Sequence, residues 1–243
     1  MPPELIRDGE ARLTGSPHHH LTVVLRLEAG SSVELLDGCG GRHEGILAST
    51  GRQASVVTIT RSHAPERVTG ARLTLLHGLS RARRTELVLQ KATELGVDAV
   101  VPCLCQRSVS RPPDPDKKHQ RWQEIVAQAA RQCDRARLPL LAPLMPLDEA
   151  LETQPEGAVR LVALPGAPPL SAAAPALDGA AEVALLVGPE GGLDPAEAAA
   201  AEDRGYVAVG LGPRVLRTET AAVALVALVG YLAGKWEADV EAP

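Results

Sequence analysis

Leu185-Leu186-Val187-Gly188-Pro189-Glu190-Gly191-Gly192-Leu193-Asp194-Pro195-Ala196-Glu197 is an apolar run that breaks into a glycine-rich turn and then opens a helix. Asp194 suits the N-cap, Pro195 suits the first helical position, and Glu197 is spaced to bond back to the cap. A strand passing through a tight turn into a capped helix belongs to an open α/β sheet, where ligands lie outside the carboxyl ends of the strands. The glycine spacing is neither G-x-G-x-x-G nor G-x-x-x-x-G-K-[ST], so neither a dinucleotide fold nor a P-loop is indicated. No Lys or Arg falls between Val183 and Asp203. The turn by itself therefore favours an uncharged or cationic ligand over a phosphate.

Around this stretch, strands alternate with helices. Strands are expected at 72–76, 99–101, 160–164, 183–187 and 206–209, and helices at 85–95, 117–137, from Asp194 to about Gly205, and over a final apolar segment. That alternation predicts a mostly parallel sheet covered on both faces. In the helix at 117–137, Trp122, Ile125, Val126, Ala129 and Cys133 form one apolar stripe, and Pro139 is the expected stop. Upstream the pattern changes to short strands at 21–27, 33–36, 42–48 and 55–60, separated by turn residues, which predicts a small β-barrel or sandwich of about 70 residues. The 243 residues thus divide near 66–70 into two domains of ordinary size.

Composition narrows the function. There is no Phe, and the aromatic residues are Trp122, Trp236, Tyr206 and Tyr231, too few for a protein that stacks bases on rows of aromatics. The net charge is −5 but unevenly spread: residues 72–137 carry 13 basic and 7 acidic side chains, whereas residues 138–243 carry 5 and 15. A basic middle band points to a polyanionic partner; the competing reading is a solvated arginine-rich face, with Glu94, Asp98 and Glu124 pairing several of the cations. Cys39, Cys103, Cys105 and Cys133 form no C-x-x-C pair, so no metal site is expected and reduced cytosolic thiols are. His18, His19 and His20 lead into the first expected strand rather than reading as a metal cluster. The first 20 residues lack an apolar signal core, and the most apolar run, 221–233, is short of the roughly 20 residues a membrane span needs. A cytoplasmic protein without membrane contact is expected.

A second loop, Leu211-Gly212-Pro213-Arg214-Val215-Leu216-Arg217-Thr218-Glu219-Thr220, precedes the last helix. Thr218 or Thr220 can cap that helix, and Glu219 sits at its positive end. Arg217 has no such local explanation.

These two loops, in this order, closely resemble the SPOUT class of knotted RNA methyltransferases, and within it the family that modifies small-subunit ribosomal RNA. The resemblance extends to Leu89-Gln90-Lys91-Ala92-Thr93-Glu94-Leu95-Gly96-Val97, to Gln106-Arg107-Ser108, to Arg121-Trp122, to the segment from Gln128 to Arg135, and to His18-His19-His20-Leu21 and Leu25-Arg26-Leu27. It implies a PUA-like RNA-binding β-barrel over 1–70 and a methyltransferase domain over 71–243. The latter is an α/β fold whose mostly parallel sheet ends in a deep trefoil knot, a rare exception to unknotted topology. The implied activity is transfer of a methyl group from S-adenosylmethionine to N3 of a uridine in 16S ribosomal RNA, by a homodimer.

Carried over by position, the cofactor contacts are Leu164, Pro165 and Gly166; Gly188, Pro189, Glu190, Gly191 and Gly192; and Leu211, Gly212, Leu216, Arg217, Thr218 and Thr220. Arg217 is the expected stabiliser of the uracil anion, and Glu219 the group for proton removal or cofactor orientation. Expected RNA contacts are Arg26, Arg81, Arg83, Arg84, Lys91, Arg107, Arg121, Arg131, Arg135 and Arg137. Family members usually carry a more polar turn where Ala163-Leu164-Pro165-Gly166 stands, and a lysine where this chain has Arg81, Arg83 and Arg84. Two alternatives stay open: a non-catalytic RNA-binding or ribosome-assembly module on the same fold, and a 2′-O-ribose methyltransferase.

Overall fold

The computed structural model describes residues 6–65, 70–109 and 111–236. These fall into two units: residues up to 65 together with 130–138, and the remainder. The expected boundary at 66–70 lies almost wholly outside the described residues.

In the first unit, strands β1 (Ile6–Arg7), β2 (Glu10–Thr14), β3 (Ser32–Leu36), β4 (Arg42–Thr50) and β5 (Ala54–His63) form an antiparallel sheet in the order β1-β2-β5-β4-β3. Alternation along β2 and β5 turns Ala11, Leu13 and Val57 inward onto Leu21, Leu35 and Leu47, the period-2 pattern of a half-buried sheet. The strand expected at 21–27 is corrected. A π-helical turn (His20–Val24), continuing a short helix α1 (Gly15–His19), covers its first part, and irregular chain covers the rest. Only Leu21 is buried there, and Val23, Val24 and Leu25 are exposed. The place beside β5 is taken by β2, whose register with it runs from Glu10–Thr58 to Thr14–Ala54.

The second unit follows the expected alternation. Strands β6 (Arg72–Gly78), β7 (Ala99–Leu104), β8 (Leu140–Leu141), β9 (Met145–Pro146), β10 (Val159–Ala163), β11 (Glu182–Val187) and β12 (Val207–Val209) form a seven-stranded sheet, ordered β12-β10-β11-β6-β7-β8 with β9 also on β7. Every pairing in it is parallel. Both faces are buried. Along β11, Val183, Leu185 and Val187 enter one core with Trp122, Val88 and Leu225, while Ala184 and Leu186 enter another with Leu151, Val162 and Tyr206. That is why these strands read as unbroken apolar runs.

Helices α2 (Ala82–Glu94), α3 (Pro115–Gln132), α4 (Leu147–Glu152), α5 (Ala174–Leu177), α6 (Pro195–Asp203) and α7 (Thr218–Leu232) complete the fold. The capping box of α6 forms as read: the Asp194 carboxylate accepts from Ala196 N, and the Glu197 carboxylate from Asp194 N. Helix α3 stops at Gln132, five residues before the expected end. Asp134 takes a left-handed conformation, φ 58°, with Asp134 N donating to Arg131 O and Arg135 N to Ala130 O. This is a Schellman stop closed by aspartate where glycine is usual. Arg42 holds it, donating to both the carboxylate and the carbonyl of Asp134.

Candidate functional site

Strands β10, β11 and β12 are neighbours in the sheet although 43 residues lie between the end of β10 and the start of β12. Their carboxyl ends deliver three loops to one place, the crevice where α/β sheets hold ligands. A cavity of about 590 Å³ lies there, walled by Leu164 and Pro165 after β10, by 188–193 after β11, and by Leu211, Gly212 and 214–218 before and at the start of α7. Of the expected cofactor residues, Gly166 and Thr220 are not in its wall. Arg84 and Arg107 are, brought from α2 and from the loop after β7.

The turn after β11 closes on itself, and further bonds tie the loops to other segments. Gly192 N donates to Pro189 O at 2.9 Å, closing the turn, and Gly192 takes φ +70°, the region that favours glycine. The Thr218 hydroxyl donates to Gly188 O at 2.6 Å. The expected capping role of Thr218 or Thr220 is corrected by this bond: Arg217 is the N-cap of α7 without a side-chain bond, and Thr218 instead joins two loops 30 residues apart. Leu164 N donates to Val209 O, and Gly210 N to Pro168 O, tying the first loop to β12. Arg107 donates to Gly191 O at 3.2 Å and pairs with Asp194 at 3.3 Å, while Gln106 N donates to Glu197.

The electrostatics differ from the sequence reading of a turn without cations. Arg84, Arg107, Arg214 and Arg217 all line the cavity. Arg84 lies 3.2 Å from the Glu190 carboxylate and 3.8 Å from that of Glu219. Burial would raise the Glu190 pKa, but the N–H groups of Arg81 and of Glu190 itself, the Arg84 cation and the Ser80 hydroxyl outweigh it and hold this carboxyl below its usual value. Glu190 therefore stays ionised at neutral pH. Burial also keeps the thiols of Cys103 and Cys105 protonated, the latter pushed up to about 12, so neither is a thiolate nucleophile.

His77, at the end of β6, is 1% exposed. Burial pulls its pKa from 6.5 down to about 4, against the attraction of Glu190. An unfolded chain binds that proton below about pH 6.5 while the folded protein does not until near pH 4, so stability falls with pH through this window by up to about 3 kcal/mol. In urea unfolding at pH 7 and pH 4.5, His77→Leu is expected to lose less stability than the wild type between the two values. Equal losses would place the acid sensitivity elsewhere.

The expected RNA contacts are divided between the units. Arg26, Arg131, Arg135 and Arg137 belong to the first, and Arg81, Arg83, Arg84, Lys91, Arg107 and Arg121 to the second. Lys91 pairs with Glu94 at 2.8 Å and Arg121 with Glu124 at 3.6 Å, as the local-pairing reading expected. Asp98 does not pair within the band; its partner is Lys235. Sequence reasoning placed Arg84 and Arg107 on RNA rather than at the cavity. The signal that could have found them is strand pairing, since β6 and β7 lie directly after β11 in the sheet.

A parallel α/β sheet with its cavity at three carboxyl-end loops matches, in sequence, the family model described as an RNA methyltransferase domain, over residues 68–230. The ribosomal RNA small subunit methyltransferase E of Mycobacterium tuberculosis is 35% identical over 94% of this chain and 89% of its own length, and that of Bacillus subtilis is 28% identical over 90% and 89%. Among solved structures, the ribosomal RNA small subunit methyltransferase E of Neisseria gonorrhoeae bound to S-adenosyl methionine superposes with a TM-score of 0.86 at 31% identity, covering 96% of this chain and 95% of that one. A Legionella pneumophila methyltransferase in complex with the same cofactor gives 0.86 at 28% identity, covering 95% of both chains. The chain belongs to the ribosomal RNA small subunit methyltransferase E family.

Proposed function

We propose that the protein transfers a methyl group from S-adenosylmethionine to N3 of a uridine in small-subunit ribosomal RNA. The observation that carries this reading is the cavity of about 590 Å³, within the usual range for a cofactor site, in a chain whose relatives are solved with that cofactor bound. The residues fit the group. Leu164, Val187 and Leu216 give apolar walls, the glycines of 188–192 leave room for main-chain approach, and the ionised Glu190 complements a positive charge.

When bound, S-adenosylmethionine supplies an electrophilic methyl group on a sulfonium. The chain's own residues do the rest. The three tied loops fix the geometry of an in-line displacement, and such positioning can supply ~7–11 kcal/mol of a barrier. Uracil N3 is a weak nucleophile until its proton leaves. Arg217, exposed in the cavity wall, is assigned to stabilising the developing uracil anion. Glu219, in the first turn of α7, is assigned to proton removal or cofactor orientation. Arg217→Ala is expected to lower methyl transfer to small ribosomal subunits by about 100-fold; activity within a few-fold of wild type would remove Arg217 from this role.

The reading includes Leu164, Pro165 and Gly166, Gly188 to Gly192, and Leu211 to Thr220 as cofactor contacts, and the two groups of basic residues as RNA contacts. It also includes a PUA-like barrel over 1–70, a methyltransferase domain over 71–243 with a trefoil knot, a homodimer and a cytoplasmic location. The five-stranded antiparallel sheet supports the barrel, and the β12-β10-β11-β6 order, with α7 following β12, is compatible with a knot. Exposed Leu228 and Tyr231 on α7 support a homodimer contact. Mass mapping of nucleosides after incubation of small-subunit RNA with protein and cofactor tests the activity: 3-methyluridine is expected, and a methylated ribose or no product would overturn it.

A further inference from the structure

Arg84 stands in the first turn of α2, the helix that directly follows β6, far in sequence from the glycine-rich turn after β11. Its guanidinium Nη1 is 3.2 Å from Glu190 Oε1, and its Nε is 3.8 Å from Glu219 Oε1. Both carboxylates are largely covered, with side chains 16% and 13% exposed, and Arg84 itself is 33% exposed. The other oxygen of each, Glu190 Oε2 and Glu219 Oε2, is buried without a hydrogen-bond partner among the described residues. A second tie runs from the same segment, where Arg81 N donates to Glu190 Oε1 at 2.9 Å. Two like charges from segments 29 residues apart thus meet around one cation, which an arginine fork suits better than the point charge of a lysine.

We propose that Arg84 is a positioning residue for methyl transfer, acting through Glu190 and Glu219 to fix the glycine-rich turn against the first turn of α7, rather than a contact to RNA. It rests on the functional reading above. The turn carries the cofactor contacts, and the start of α7 carries Arg217, Thr218 and Glu219. With Arg84 gone, the two carboxylates repel and the segments lose their common anchor. A misplacement of about 1 Å in such a site costs on the order of 100-fold in rate.

The test is steady-state methyl transfer to small-subunit RNA, with cofactor affinity measured by calorimetry. Arg84→Met is expected to lower kcat about 100-fold and to weaken S-adenosylmethionine about tenfold, with KM for RNA within about threefold of wild type. Arg84→Lys, which keeps the charge but not the fork, is expected to recover about tenfold of that loss. Glu219→Gln should lower kcat, and Arg84→Met with Glu219→Gln should fall no further than the worse single variant, because the two act as one unit. A raised KM for RNA and a shallower salt dependence with kcat retained would make Arg84 a phosphate contact and overturn the proposal; so would independent, multiplying effects in the double variant. Should Arg84→Met fail to fold, the lysine and Glu219→Gln variants carry the same comparison. Absence of methyl transfer by the wild type would overturn the functional reading itself, whereas failure confined to the variants overturns only the role of Arg84.

Discussion

Replacing Lys235 by methionine is expected to cost about 3–5 kcal/mol of stability, the usual result of removing one partner from a buried ion pair. Lys235 Nζ lies 2.7 Å from Asp98 Oδ2, donates to Ala71 O at 3.1 Å, and is 8% exposed against 10% for Asp98. The same Asp98 oxygen accepts Leu73 N at 2.8 Å. One lysine thus joins the end of the last helix to the starts of β6 and β7. Its loss leaves a buried carboxylate whose remaining donor, among the described residues, is the Leu73 N–H. For a chain of this length, the expected fall in melting temperature is on the order of 10 °C. Adding Asp98→Asn should recover much of the loss, because the amide oxygen still accepts from Leu73 while no charge stays buried. Thermal and urea unfolding of the two variants measure this, and a Lys235→Met protein as stable as wild type would refute it.

The second large effect is expected at Gly78. A Cβ there would stand 2.6 Å from both N and Cδ of Pro189 and 2.8 Å from the Gly188 carbonyl carbon. These are main-chain and ring atoms of the glycine-rich turn, so the turn itself must move. Gly78→Ala is expected to destabilise by about 1–3 kcal/mol, as overpacking does, and to weaken S-adenosylmethionine binding at least tenfold through displacement of Gly188 and Pro189. Calorimetric titration decides it: wild-type affinity in Gly78→Ala would show that the turn does not set the cofactor site.

Local signals were read well because they are complete within a few residues. Asp194, Pro195 and Glu197 specify their helix start whatever surrounds them. Gly96, at φ +84°, directly follows the helix expected at 85–95. The parallel strands were legible because burial on both faces removes alternation. Three features needed partners far away in sequence. Thr22, Val23 and Val24 have β-branched side chains that suit a strand, yet β2 occupies the place beside β5 and the stretch winds up instead. The stop of α3 at Asp134 relies on Arg42, 92 residues earlier, so Pro139 was the only visible terminator. Thr218 looked like a cap because Gly188, its hydrogen-bond acceptor, is 30 residues back. At the site, the loops after β11 and before α7 were legible as motifs, whereas Arg84 and Arg107 entered the cavity only through strand order.

The inclusion of 130–138 in the first unit bears on how the chain is made. Gly40 N donates to Ala136 O and Leu138 N to Gly38 O, and Arg42 reaches Asp134. A nascent chain emerging from its N-terminus cannot complete this unit when the five strands are out. It must wait until residue 138 appears, with β6, β7 and α3 already synthesised in between. Vectorial folding can therefore assemble the five strands and their own buried core but not the contacts to 130–138, which a fragment ended near residue 70 would lack.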